Sequence, residues 1–171
     1  MNAPPWTPPR TGEELPPLVI PVTRTLIVSG AVASRDFQDV HHDAEAARVK
    51  GSPDIFMNIL TTNGLVGRYV TEWAGPEAHL RKVAIRLGAP NYPGDTMTLT
   101  GSVTSVGVPR GARDEGEARG AKGEPDGGAV LVEIAVKGAN ALGNHVTGTV
   151  VLTLPGPLPA SCQAPQEGVA S

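Results

Sequence analysis

The sequence predicts an α+β domain in which a curled antiparallel sheet wraps one long helix, and three observations carry this. Between Ile55 and Ala74 the apolar residues Ile55, Ile59, Leu60, Val66, Tyr69, Val70 and Trp73 recur mostly at spacings of three and four, the period of a helix. The stretches that follow, about Leu80 to Leu87, Thr96 to Val106, Ala129 to Ala139 and His145 to Leu154, carry no helical period. Within them Val83, Ile85 and Leu87, then Val130, Val132, Ile134 and Val136, alternate as strands with one buried face do. Ahead of the helix, Leu18 to Val28 is dense in β-branched residues.

Taken in order, residues 1–17 are proline-rich and lack apolar periodicity, which predicts an extended arm outside the fold. Leu18 to Val28 reads as a strand, with Pro21 marking an edge or a bend. Ser29 offers a helix cap, Gly30 to Phe37 reads as a short helical turn, and Asp39 to Asp43 as a loop. Asp43 then caps a helix over Ala44 to Lys50, which Gly51 closes. After the turn at Pro53 comes the long helix, with Thr61, Thr62, Arg68 and Glu72 on its other faces and Gly75-Pro76 as its stop. Pro109 to Gly128 is charged, Gly-rich and nearly free of large apolar residues. Such a segment cannot offset the entropy of ordering and predicts a mobile hairpin insertion. The tail, 155–171, reads as disordered. One domain over 18–154 remains, and its element order is that of a single hot-dog fold. A sheet of this kind leaves edges exposed, which predicts pairing with a second such unit.

Composition narrows the function. A chain of 171 residues, 40% of them hydrophobic, buries one core. The formal charge of −3 with scattered Lys and Arg gives no footprint for nucleic acid. The N-terminus has no apolar signal core, and no apolar run is long enough to span a membrane. The expectation is a soluble, cytoplasmic protein. The one cysteine, Cys162, lies in the tail, so neither a disulfide framework nor a thiolate metal cluster is expected within the chain.

The polar residues concentrate at Arg35-Asp36-Phe37-Gln38-Asp39-Val40-His41-His42-Asp43, three acids and two histidines within nine residues ahead of the long helix. A carboxylate partly removed from solvent gains basicity and an imidazole titrates near working pH, so an Asp and a His flanking one water can take its proton and pass it on. Capping preference gives His42 and Asp43 a structural role, and neighbouring histidines that point apart make a poor metal site. His79 and His145 read as strand-end residues, Tyr69 and Trp73 as core, and Arg81, Lys82 and Arg86 as solvated strand charges.

The same cluster resembles the signature of MaoC-like dehydratases and (R)-specific enoyl-CoA hydratases. That signature is an Asp, an Asn two later, Pro, an aliphatic residue, a His five after the Asp and a small residue six further on. Asp36, Val40, His41 and Ala47 keep the pattern, while Gln38 and Asp39 replace its Asn and Pro, and Arg35 stands where Gly is usual. Leu87-Gly-Ala-Pro90-Asn-Tyr-Pro-Gly94-Asp95 resembles a second motif of the family. Ser34 to Asp43 and Asp54 to Leu60 are similar to the small MaoC-like subunits of actinobacterial steroid side-chain enoyl-CoA hydratases.

The resemblance implies a hydro-lyase with Asp36 as principal base and His41 as its partner in activating the water. It implies an oxyanion-binding backbone N–H at the start of the long helix, carried by Asn58. It implies no cofactor, since CoA is part of the substrate, and a second MaoC-like subunit as partner in a heterodimer or heterotetramer, or else a homodimer. The alternatives are a hot-dog acyl-CoA thioesterase, for which Glu72 is the acid on the long helix, and a non-catalytic subunit that completes a partner's acyl-CoA tunnel.

Overall fold

The computed structural model describes residues 9–107 and 129–156. The insertion expected at 109–128, Cys162, and parts of the expected arm and tail lie outside the described residues. In chain order the elements are β1 (Glu14–Pro21), α1 (Arg24–Ala33), a 3-10 turn at Asp39–His41, α2 (Ala44–Val49), α3 (Ile59–Ala74), β2 (His79–Leu87), β3 (Thr96–Gly107), β4 (Val130–Asn140) and β5 (Gly143–Leu154). The strands form one antiparallel sheet in the order β1-β3-β4-β5-β2.

The long helix lies against that sheet on the stripe Thr62, Val66, Tyr69 and Val70. Opposite are the inward residues Met97, Leu99 and Val103 of β3, Val132, Ile134 and Val136 of β4, and Val146, Val150 and Leu152 of β5, all buried. Burial of each such side chain stabilises the fold by about 1.5–3 kcal/mol relative to exposure, and this layer forms the core.

Three expectations need correction. The first strand begins at Glu14, four residues inside the expected arm. It is an edge strand whose register shifts between Leu15 and Leu18, so Pro16 and Pro17 sit in an irregularity and remove no ladder bond from a central strand. Arg24 to Val28, read as strand, is the first half of α1. The Thr23 side chain accepts from the Leu26 N–H at 3.0 Å and caps the helix, while Ile27 and Ala31 are buried. Capping and burial together override β-branched propensity here. Finally, α3 starts at Ile59 rather than Ile55. Ile55 to Met57 is irregular, with the Phe56 N–H on the Val40 carbonyl and the Met57 N–H on the Asn91 carbonyl, and Asn58 is the cap.

The two longest helices meet where Gly30 of α1 faces Thr61 of α3. A Cβ at Gly30 would lie 2.2 Å from Thr61 Oγ1 and 2.8 Å from Cγ2, so only glycine permits this approach. Thr61 Oγ1 is buried there without a hydrogen-bond partner among the described residues. Gly30→Ala is therefore expected to destabilise by about 1–2 kcal/mol net, because overpacking outweighs alanine's better helix propensity. Thermal unfolding should show the loss, and adding Thr61→Ala should recover most of it. An unchanged Tm for Gly30→Ala alone would show that the helices are not held this close.

Candidate active site

The site is built where α1 ends and α3 begins. At the end of α1 the Arg35 N–H donates to the Val32 carbonyl at 3.1 Å and the Asp36 N–H to the Ala31 carbonyl at 2.9 Å. That pair of bonds is a Schellman cap, whose penultimate residue takes the left-handed conformation. Arg35 occupies that place with φ 56°, the one non-glycine residue with positive φ among the described residues. The cap explains the Gly of the resembled signature, and it fixes where the next residue, Asp36, leaves the helix.

His41 comes from the 3-10 turn five residues on and is buried at 6% exposure. Its Nδ1 lies 2.7 Å from the Phe56 carbonyl, which can only accept, so Nδ1 carries a hydrogen. The Phe56 ring stacks edge-on against the imidazole at 5.1 Å between centroids. Nε2 is thereby aimed at Asp36 Oδ2, 3.4 Å away. In the neutral ring Nε2 is a lone pair, which places two acceptors side by side, a geometry that suits one water donating a hydrogen to each.

Asn58 joins both parts to the long helix. Its side-chain Oδ1 accepts from the Thr61 N–H at 2.9 Å, capping α3, while Nδ2 donates to Asp36 Oδ2 at 3.0 Å and to Ser34 Oγ at 2.9 Å. The Ser34 hydroxyl in turn donates to the Gly30 carbonyl at 2.7 Å, tying the amide back into α1. The Met57 N–H is occupied by the Asn91 carbonyl, but the Asn58 and Ile59 N–H groups meet no acceptor among the described residues. They lie at the positive end of the helix dipole, where an oxyanion is favoured.

The other candidates fall outside this constellation. His42 is exposed, with Nε2 3.2 Å from the Phe37 carbonyl, and Asp43 caps α2 through the Glu45 and Ala46 N–H groups. Glu72 lies near the far end of α3, half-exposed and ion-paired with Arg68 at 2.7 Å. Tyr69 is buried and His79 is exposed at the start of β2. Exposed apolar residues flank the site along the chain: Val32 and Phe37 on either side of Asp36, Ile59 and Leu60 directly after Asn58. Val28, Val32 and Ala33 also line an apolar cleft along α1.

His145 lies at the start of β5, the strand end expected for it, but is 1% exposed with both ring nitrogens engaged, which that expectation did not include. Nδ1 lies 2.7 Å from the Ala89 carbonyl and Nε2 2.9 Å from Thr62 Oγ1. The legible signal was Thr62, a polar residue on the apolar stripe of α3. Asn58 was named for its backbone, and nothing in the pattern marked its side chain.

Several known proteins are similar to this chain. A family model described as MaoC like domain matches residues 8–121. The beta subunit of the 3-oxo-4,17-pregnadiene-20-carboxyl-CoA hydratase of Mycobacterium tuberculosis is 47% identical over 143 residues, which are 84% of this chain and 95% of that protein. The ChsH1-ChsH2 complex from Mycobacterium tuberculosis contains a chain 46% identical, with TM-score 0.69, covering 85% of this chain and 98% of that one. An R-hydratase from Pseudomonas aeruginosa in the unliganded form has TM-score 0.67 at 17% identity, over 86% of this chain and 83% of that one, a likeness of fold alone. The fold is the hot-dog arrangement that these structures share.

Burial pushes the His145 imidazole below the usual histidine range, against the opposing pull of the Ala89 carbonyl and the Asp95 charge. A histidine depressed in this way binds fewer protons folded than unfolded. Its contribution to stability is complete above an unfolded value of about 6.5 and falls as pH drops from there towards the folded value. The Tm of the wild-type chain should therefore decline more between pH 7.5 and 5.5 than that of His145→Gln. Equal declines would mean that His145 charges as freely in the fold as in water.

Proposed function

The chain belongs to the MaoC-like family, and on that premise we propose that it is the catalytic subunit of an enoyl-CoA hydratase. One observation carries the reading: Asp36 Oδ2 and His41 Nε2 stand 3.4 Å apart beside the open first N–H groups of α3. Water held between the two gives its proton to Asp36 as its oxygen bonds to Cβ. The C=C electron pair moves into the thioester, and the oxygen that gains charge is met by the Asn58 and Ile59 N–H groups. Asp36 then returns the proton to Cα, so one water is added and both side chains end as they began. No cofactor takes part, because the thioester itself accepts the electron pair.

For the substrate we take the class named by the relative at 47% identity, a steroid side-chain enoyl-CoA such as 3-oxo-4,17-pregnadiene-20-carboxyl-CoA. The partner we take is a second MaoC-like subunit, as the pairing in the ChsH1-ChsH2 complex suggests. The exposed rim of Val32, Phe37, Ile59 and Leu60 supports this, since an isolated chain leaves these residues in water beside the site. No helix among the described residues is long and apolar enough to cross a membrane, and we place the enzyme in the cytoplasm. Glu72, already held by Arg68 and in no hydrogen bond with the Asp36 cluster, gives a thioesterase reading no support.

The test is the co-expressed complex incubated with the steroidal enoyl-CoA and with a short enoyl-CoA. Enone absorbance should fall without release of free thiol, fastest for the steroidal substrate. Asp36→Asn and His41→Ala should each lower kcat by about 10²–10⁴-fold. Thiol release with the enone intact, or full activity in both variants, would sink the proposal.

A further inference from the structure

Thr62 has one hydroxyl hydrogen and two acceptors within reach: His145 Nε2 at 2.9 Å and the Asn58 carbonyl at 3.2 Å. The ring decides between them. His145 Nδ1 faces the Ala89 carbonyl at 2.7 Å and must hold the ring hydrogen, which leaves Nε2 as a lone pair in the neutral imidazole. Burial favours that form against the pull of the Ala89 carbonyl after β2 and of Asp95, ahead of β3, while Thr62 of α3 is uncharged. The hydroxyl hydrogen therefore goes to His145, and the Asn58 carbonyl keeps the Thr62 N–H at 3.2 Å. A charged ring would reverse the chain, with Nε2–H donating to Thr62 and the hydroxyl turning to Asn58.

We propose that Thr62 and His145 are positioning residues for hydration, clamping the first turn of α3 to β5 so that the Asn58 amide stays in register with Asp36. The connection is short: Thr62 lies one turn after Asn58, and its N–H is on the Asn58 carbonyl while the Asn58 Nδ2 is on Asp36 Oδ2. Both partners are buried, His145 at 1% exposure on β5 and Thr62 at 0% on a helix stripe otherwise made of Val66, Tyr69 and Val70. An apolar residue of the same shape would fill that space equally well. What only the hydroxyl supplies is direction, because it makes one bond to one strand and resists rotation or sliding of the turn. This rests on the hydratase reading above.

The test compares Thr62→Val, which keeps the shape and removes the hydroxyl, with Thr62→Ser, which keeps the hydroxyl, both in the assembled complex. Thr62→Val is expected to lower kcat about tenfold with KM within about twofold, and to lower Tm as well because the buried His145 Nε2 loses its donor, while Thr62→Ser keeps kcat within about twofold of wild type. A merely structural contact would lower Tm and spare kcat. Wild-type kcat in Thr62→Val, or Thr62→Ser as impaired as Thr62→Val, overturns the proposal. Two further readouts stand whatever the activity, so failure of the hydratase assignment is distinguishable. In ¹⁵N-histidine-labelled complex at neutral pH, His145 Nε2 should show the shift of an unprotonated, hydrogen-bonded nitrogen. In ¹³C-aspartate-labelled complex the Asp36 carboxyl signal should move in Thr62→Val and not in Thr62→Ser. A protonated Nε2, or an unmoved Asp36 signal, overturns the proposal equally.

Discussion

The side-chain amide of Asn58 ties the two halves of the site together, and its chemistry leaves little choice of residue. A planar amide offers an acceptor on one side and donors on the other. Here the oxygen caps α3 through the Thr61 N–H, and the nitrogen bonds the Asp36 carboxylate and the Ser34 hydroxyl. Aspartate would cap the helix equally well but repel Asp36, and serine would cap it without reaching across. Since the backbone N–H of the same residue is one of the open donors at the helix start, Asn58 holds the proposed base and carries the proposed oxyanion donor. The spacing between them is set by the Asn58 side chain, which its bonds to Thr61, Ser34 and Asp36 hold in one orientation.

That amide can act only if α1 delivers Asp36 to it. The delivery depends on the Schellman cap, and the cap needs a left-handed residue at position 35. Arg35 takes it at φ 56° where glycine would be unstrained, a cost of about 1–3 kcal/mol that the two cap hydrogen bonds and the Asn58 to Asp36 bond hold in place. The helices must also lie close enough for Ser34 and Asp36 to meet Asn58, which Gly30 against Thr61 allows. Backbone strain and a missing side chain at the same crossing thus serve the same end.

The parts of this arrangement that the sequence reveals are those with a period or a local rule. The stripe of α3 and the alternation of β2 to β5 are long enough to be read directly, and Asp43 before Ala44 was legible as a cap. Thr23, the true cap of α1, was read within a strand instead, because β-branched Thr25, Ile27 and Val28 argued for one. What decided against the strand was the contact of Ile27 and Ala31 with the core, which no local window contains. Likewise the apolar run from Ile55 hid the true start of α3 at Ile59, behind the Asn58 cap. In the site, Asp36 and His41 stood out because a family resemblance covers their spacing. The Thr62 to His145 pair spans 83 residues and joins a helix to the last strand, so no pattern along the chain marks it.

The same separation of local from distant determinants explains why the chemistry reads more firmly than the substrate. Asp36 and His41 side chains are 18% and 8% exposed within a single chain; their shielding and hydrogen bonds come from α1, the 3-10 turn and the start of α3. Water activation needs little more than that. Val32 and Phe37, by contrast, are 56% and 68% exposed, and Ile59 and Leu60 about half as open to solvent as they can be. An acyl group lying on them would lose much of its hydrophobic gain to open solvent. It would also leave the developing enolate in a high dielectric, where donor N–H groups are weak. A second subunit laid over this rim corrects both deficits at once, since it removes water from the acyl path and strengthens every electrostatic contact beneath. Under the proposed hydratase reading, the partner sets substrate size and affinity, while Asn58, Asp36 and His41 of this chain carry the water activation.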